Sequence, residues 1–85
     1  MDDVIRCIIL KNHLKIICAI EQIFGDPGES DCRLINPYLY ENGELVKWLD
    51  EVTEQNEIEI FSSNILTHVE PKKEIIEKYL ELTAE

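Results

Sequence analysis

The residues predict a small, mainly β domain in which short strands wrap into a strongly bent barrel and one α-helix follows at the C-terminal end. Three observations carry that expectation. Eighty-five residues leave room for one core only. Segments of strand length, rich in β-branched and aromatic residues, recur between turn signals as far as about residue 70. Beyond Pro71 the apolar spacing changes from alternation to i, i+4 and i+7. Strands this few cannot fill two sheets, which favours a bent barrel over a sandwich.

Val4 to Leu10 reads as the first strand, because it is β-branched-rich and too short for a typical helix. Lys11-Asn12-His13 supplies a tight turn. From Leu14 to Phe24 the residues alternate, with Leu14, Ile16, Cys18, Ile20 and Phe24 on one face and Lys15, Ile17, Ala19, Glu21 and Ile23 on the other. The second face is too apolar to be fully wet, so it needs cover from a bent sheet or another subunit. Gly25 to Asp31 is a loop, acidic and holding two of the three glycines.

Cys32 to Tyr40 resumes an extended pattern, and Pro37, which lacks an N–H to donate, implies an edge, a bulge or a break within it. Asn42-Gly43 tolerates the positive φ angles of a type I′ hairpin turn. In Glu44 to Val52, Leu45, Trp48, Leu49 and Val52 match helical spacing, while the preceding turn predicts a returning strand; the strand is taken here. Thr53 to Glu57 is a polar loop. Ile58 to Phe61 and Ile65 to Val69, separated by Ser62-Ser63-Asn64, read as a final hairpin. Pro71 then opens an amphipathic helix through about residue 83, with Ile75, Ile76, Tyr79, Leu80 and Leu82 on its apolar positions and Glu74 and Lys78 paired at i,i+4.

With 18 Asp+Glu against 8 Lys+Arg, the formal net charge is -10. That repels phosphate at long range and excludes an ordinary basic DNA-binding module. A domain of this size buries only roughly 60–65% of its unfolded surface, so a disulfide, a metal or self-association commonly supplements the core. Cys7, Cys18 and Cys32 are odd in number, lie in apolar segments and form no C-x-x-C pair, which removes a disulfide framework and a zinc knuckle. Self-association remains. The acidic start Met1-Asp2-Asp3 and an apolar run of only Ile16 to Ile20 predict neither a signal peptide nor a membrane anchor, and a reducing, cytoplasmic setting fits the cysteines.

The segment Ile60-Phe61-Ser62-Ser63-Asn64-Ile65-Leu66-Thr67-His68-Val69 resembles the second signature of the Sm and Sm-like family. Ile60, Asn64 and Ile65 fall on its apolar, Asn and Ile positions, while Phe61 and Ser62 stand where the family has Arg-Gly. A wider similarity is to the small Sm-like proteins of marine phages, carried by Pro37-Tyr38, Leu45 to Leu49, Ile65-Leu66-Thr67, Glu70-Pro71 and Glu74 to Tyr79. The resemblance implies an SH3-like, Sm-type five-stranded barrel and a closed homo-oligomeric ring, pentamer to heptamer, in which one subunit's fourth strand pairs with the fifth of the next. It implies binding of single-stranded RNA or DNA, and the cytoplasm of a bacterial host if the chain is phage-encoded. By the family pattern Ser63 and Asn64 in the last turn are the expected contacts, with Arg33, Asn36 and Tyr38 on the third strand beside them.

No catalytic constellation stands out, since His13 and His68 have no nucleophile or metal partner at a recognisable spacing. The cysteines read as small core hydrophobes. Asp26, Glu29 and Asp31 read as a solvated loop, so neither metal nor cofactor is expected. Tyr38, Tyr40, Trp48 and Phe61 offer stacking surfaces, though aromatic residues in short strands usually serve a core or an interface. The basic residues Lys11, Lys15, Arg33, Lys72 and Lys73 would each be repeated around a ring axis, giving an acidic particle a positive rim. The alternative function is a homo-oligomeric protein-interaction scaffold without nucleic-acid binding, which the charge favours.

Overall fold

A computed structural model describes residues 4–24 and 26–84. The acidic start Met1-Asp2-Asp3 and Gly25 of the expected loop lie outside the described residues. Six strands and one helix follow in order: β1 (Ile5–Leu10), β2 (Lys15–Gln22), β3 (Cys32–Glu41), β4 (Glu44–Lys47), β5 (Glu57–Ile60), a 3-10 turn (Ser62–Asn64), β6 (Ile65–Val69) and α1 (Lys73–Thr83). All pairings are antiparallel, in the order β4-β3-β2-β1-β6, with β5 also on β3.

β1, β2 and β3 form a meander joined by the turn at Lys11 to His13 and the loop after Gln22. In the first turn the His13 N–H donates to the Leu10 carbonyl, His13 takes a positive φ of 69°, and the Asn12 Oδ1 accepts the Leu14 N–H at 3.2 Å. The β3–β4 hairpin turns at Asn42 (φ 51°) and Gly43 (φ 81°), the two positive angles a type I′ turn demands.

β3 is broken in its middle. Ile17 pairs with Tyr38 and Ala19 with Ile35, so Cys18 alone opposes Asn36 and Pro37, which is a β-bulge. Asn36 sits at φ 50°, a left-handed angle that Asn tolerates better than most residues, and Pro37 has no N–H to pair. The freed groups find partners outside the ladder: the Asn36 N–H donates to the Asn56 carbonyl (2.6 Å) and the Pro37 carbonyl accepts the Trp48 N–H (3.0 Å). The bulge therefore divides one edge of β3 between two strands. β5 pairs with Cys32 to Ile35, and β4 with Tyr38 to Glu41.

Alternation assigns the two faces. Ile8, Leu10, Ile16, Cys18 and Leu34 form the buried cluster, with Leu14, Leu39, Trp48, Ile60 and Ile65 packed against it. Burying a side chain such as Ile8, Ile16 or Leu34, each 0% exposed, contributes about 1.5–3 kcal/mol. Ile17 and Ala19 point to the opposite face and are buried as well. Their cover is α1. Ile5, Ala19 and Ile35 line one groove with Ile76, Tyr79 and Leu80 of the helix. Tyr79, 2% exposed, meets Tyr38 edge-to-face with ring centroids 5.7 Å apart, and its hydroxyl contacts the carbonyls of Asn36 (2.8 Å) and Ile35 (3.2 Å). The cover that the apolar alternation of β2 requires thus comes from the chain's own helix.

Four expectations are corrected. The strand expected over 44–52 ends at Lys47, because Trp48 turns back onto Pro37 and Leu49 takes a φ of 63°. The final hairpin does not form: β5 pairs with β3 and β6 with β1, and the 3-10 turn between them carries the chain from one side of the sheet to the other. Among the described residues the strands number six, one for each extended segment of the sequence, where the resemblance implies five. Lastly the sheet is open among the described residues; its path ends at β6 on one side and at β4 and β5 on the other, so a closed barrel is absent. The helix starts at Lys73 behind Pro71, within two residues of its expected start.

Candidate functional site

The five residues singled out by the resemblance fall in three separate places. Arg33 projects from the helix-facing side of β3 into a row of carboxylates. Register sets Glu21 and Glu59 directly opposite it on β2 and β5. Its guanidinium lies 2.8 Å from Glu21, 3.6 Å from Glu57 and 3.7 Å from Glu59. One cation here faces three anions, so the local charge is negative.

Tyr38 and Asn36 lie beside the bulge. The Tyr38 ring is engaged by Tyr79, while Asn36 spends its N–H on Asn56 and its carbonyl on Tyr79. Both hold the helix and the bend of β3 together.

Ser63 and Asn64 are exposed in the 3-10 turn and line different cavities. Ser63 belongs to one of about 370 Å³ with Asp26, Glu29, Asp31, Phe61 and Ser62. The Asp31 carboxylate accepts both the Ser62 hydroxyl and the Ser62 N–H at 2.7 Å, tying the acidic loop to the turn. Those bonds, the hydroxyl's first, hold the Asp31 carboxyl below the usual carboxylate range. A folded-state pKa that is lowered gives a tie fully made above the ordinary value and lost as pH falls through the lowered one. Hydrogen exchange at the Ser62 amide should therefore be slow at neutral pH and lose protection only as pH falls below the ordinary aspartate range. Asp31→Ala should remove the protection at neutral pH; a Ser62 amide equally protected in that variant would show that the carboxylate does not hold the turn.

Asn64 lines a cavity of about 360 Å³ on the other side, with Leu10, Lys11, Asn12, Trp48 and Ile60. The Asn64 carbonyl accepts the Lys11 N–H at 2.9 Å, and its own N–H donates to Phe61 at 3.0 Å. The β1–β2 turn and the 3-10 turn are thereby joined into one rim. Lys11 and Trp48 were each visible in the sequence as a cation and a stacking surface, but their meeting depends on the chain returning along β3. Two further cavities flank α1: one of about 680 Å³ toward Val4, Arg6 and Glu70, and one of about 280 Å³ between Tyr40, Leu45, Glu74 and Lys78.

Several cations are already engaged, Arg6 with Glu70 (3.5 Å) and Lys47 with Asp50 (3.9 Å). Lys11, Lys15, Lys72 and Lys73 make no ion pair among the described residues. Burial pushes the Cys18 thiol up to about 12, and it also raises Cys7 and Cys32, so all three favour the unreactive thiol. Among the described residues no group of three His, Cys, Asp or Glu side chains is placed to hold a metal ion. Among the described residues no helix is long and apolar enough to cross a membrane.

Over residues 3–84 the chain matches a family described as a family of unknown function (DUF6561), and it belongs to that family. No curated protein matches it.

Proposed function

We propose that this member of a family of unknown function is a non-enzymatic, Sm-like protein that assembles into a homo-oligomeric ring and binds single-stranded RNA or DNA in a processing or chaperoning role. The observation that carries the proposal is the pair of free sheet edges. β6 ends the sheet on one side, with Leu66 and Val69 exposed; β4 and β5 end it on the other, with Val46 of β4 exposed and Phe61 exposed just after β5. Free edges of this kind template pairing with another chain. Joining β6 of one copy to the β5 side of the next is a head-to-tail contact, which closes into a ring when the rotation allows. In that reading the open sheet is a strongly bent, SH3-like barrel that its neighbours complete.

Light scattering of the purified protein across a salt series tests the assembly. The expected mass is a fixed multiple of 9.9 kDa. Because each copy carries a net charge of -10, the multiple should persist or sharpen as salt screens the repulsion. Retention of a short single-stranded oligonucleotide should move the opposite way, weakening with salt. A monomer at every concentration would overturn the ring.

A second reading, a ring or dimer that serves as a protein-interaction scaffold, is favoured by the carboxylates around Arg33 and beside Ser63. It predicts no oligonucleotide retention even at the lowest salt.

A further inference from the structure

We propose that the cavity between the β1–β2 turn and the 3-10 turn is a nucleotide site: one unstacked base lies against the Trp48 indole and its phosphate is held by Lys11. The inference rests on the single-strand-binding reading and relocates its contact away from the acidic loop. Of the four cavities described, this one has no carboxylate in its lining; the others carry Glu70, Glu74, or Asp26 with Glu29 and Asp31. On a chain with 18 Asp+Glu that difference makes it the one of these four cavities whose lining does not itself repel an anion.

The lining is divided by chemistry. Leu10 is buried, Ile60 is half-buried, and Trp48 packs against the core cluster while lining the cavity. These residues give an apolar floor and a flat aromatic wall. Above them the rim is polar. Lys11 makes no ion pair among the described residues, so its ammonium is available. The Asn12 Oδ1 accepts the Leu14 N–H, which leaves the NH₂ of that amide as a donor. Asn64 adds a second amide, and its backbone groups are used up in holding the rim.

A flat wall, an apolar floor and a rim of donors with one cation suit a planar, acceptor-rich anion. About 360 Å³ lies at the small end of ligand sites and admits one nucleotide instead of a folded partner. Base stacking on an aromatic side chain tolerates any base, so the site would track a single strand without reading its sequence.

Trp48 is the chain's one tryptophan, so its emission reports on this cavity alone. The full chain is titrated at low salt with adenosine monophosphate and with a short oligoadenylate in ribo and deoxy forms. Lys11→Glu, a change in an exposed turn, and Lys15→Glu, on the opposite side of the sheet, are compared with it. Saturable quenching of Trp48 is expected, with the midpoint about tenfold higher in Lys11→Glu and within about twofold of the parent in Lys15→Glu. Oligonucleotide binding seen by anisotropy of a labelled strand, with Trp48 emission unchanged or with both lysine variants weakened alike, would overturn this site and leave single-strand binding standing. Absence of any binding at the lowest salt would overturn both.

Discussion

Tyr79→Ala is expected to destabilise the domain by about 3–5 kcal/mol, the usual range for deleting a buried aromatic side chain. Small domains hold only about 5–15 kcal/mol in total, so urea unfolding of this variant should begin near zero denaturant. The ring is 2% exposed, meets Tyr38 edge-to-face and sits over the bulge of β3. Tyr79→Phe separates packing from hydrogen bonding. It keeps the ring but leaves the carbonyls of Ile35 and Asn36 without the hydroxyl, and should cost about 1–3 kcal/mol. Equal losses in the two variants would show that the hydroxyl, and not the ring, fixes the helix.

Leu34→Ala attacks the other face of the same strand. Leu34 is 0% exposed, belongs to the central cluster and stands in register between Ile20 on β2 and Ile58 on β5. Removing it should cost about 2–5 kcal/mol, depending on how far its neighbours collapse into the space. Chemical denaturation measures the loss, and a change below about 1 kcal/mol would mean that this face is not the principal core. Because Tyr79 and Leu34 lie on opposite sides of β3, their effects should add within about 0.3–0.5 kcal/mol if the two layers are independent. An added coupling would show that the bulge transmits strain between them.

Local signals made much of this fold legible. The doubly apolar alternation of Leu14 to Phe24 demanded cover on both sides, and Pro37 announced a break that the structure places as the bulge at Asn36 and Pro37. Asn42-Gly43 marked its turn, and the spacing of Ile75, Ile76 and Tyr79 marked the helix. What stayed hidden was non-local. Ile58 to Val69 looks like a hairpin because two apolar runs flank three turn residues, yet the partner each run takes depends on which edge of the meander is vacant. The source of cover for Ile17 and Ala19 was equally ambiguous, since alternation reveals that a face is apolar but not what meets it.

The candidate site divides in the same way. Residue type marked Ser63 and Asn64 as turn residues, and the turn they form is the 3-10 turn. That this turn has an acidic side and a carboxylate-free side follows from the return path of the chain, which brings Lys11 and Trp48 together across 37 positions of sequence. Arg33 was legible as a cation on the third strand. Only the register of β2 and β5 reveals the glutamates on either side of it.

The placement of α1 also imposes an order in time. During vectorial synthesis the β1–β2–β3 meander is complete long before the helix that covers Ala19 and Ile35 has been made. Until Tyr79 leaves the ribosome the nascent sheet presents an apolar surface on each side, and β1 waits for β6 as its second neighbour. The interval between Glu41 and Thr83 is therefore the window in which this chain is most exposed to mispairing with its own kind. A pause in elongation there should lower the yield of folded protein without altering the stability of what does fold.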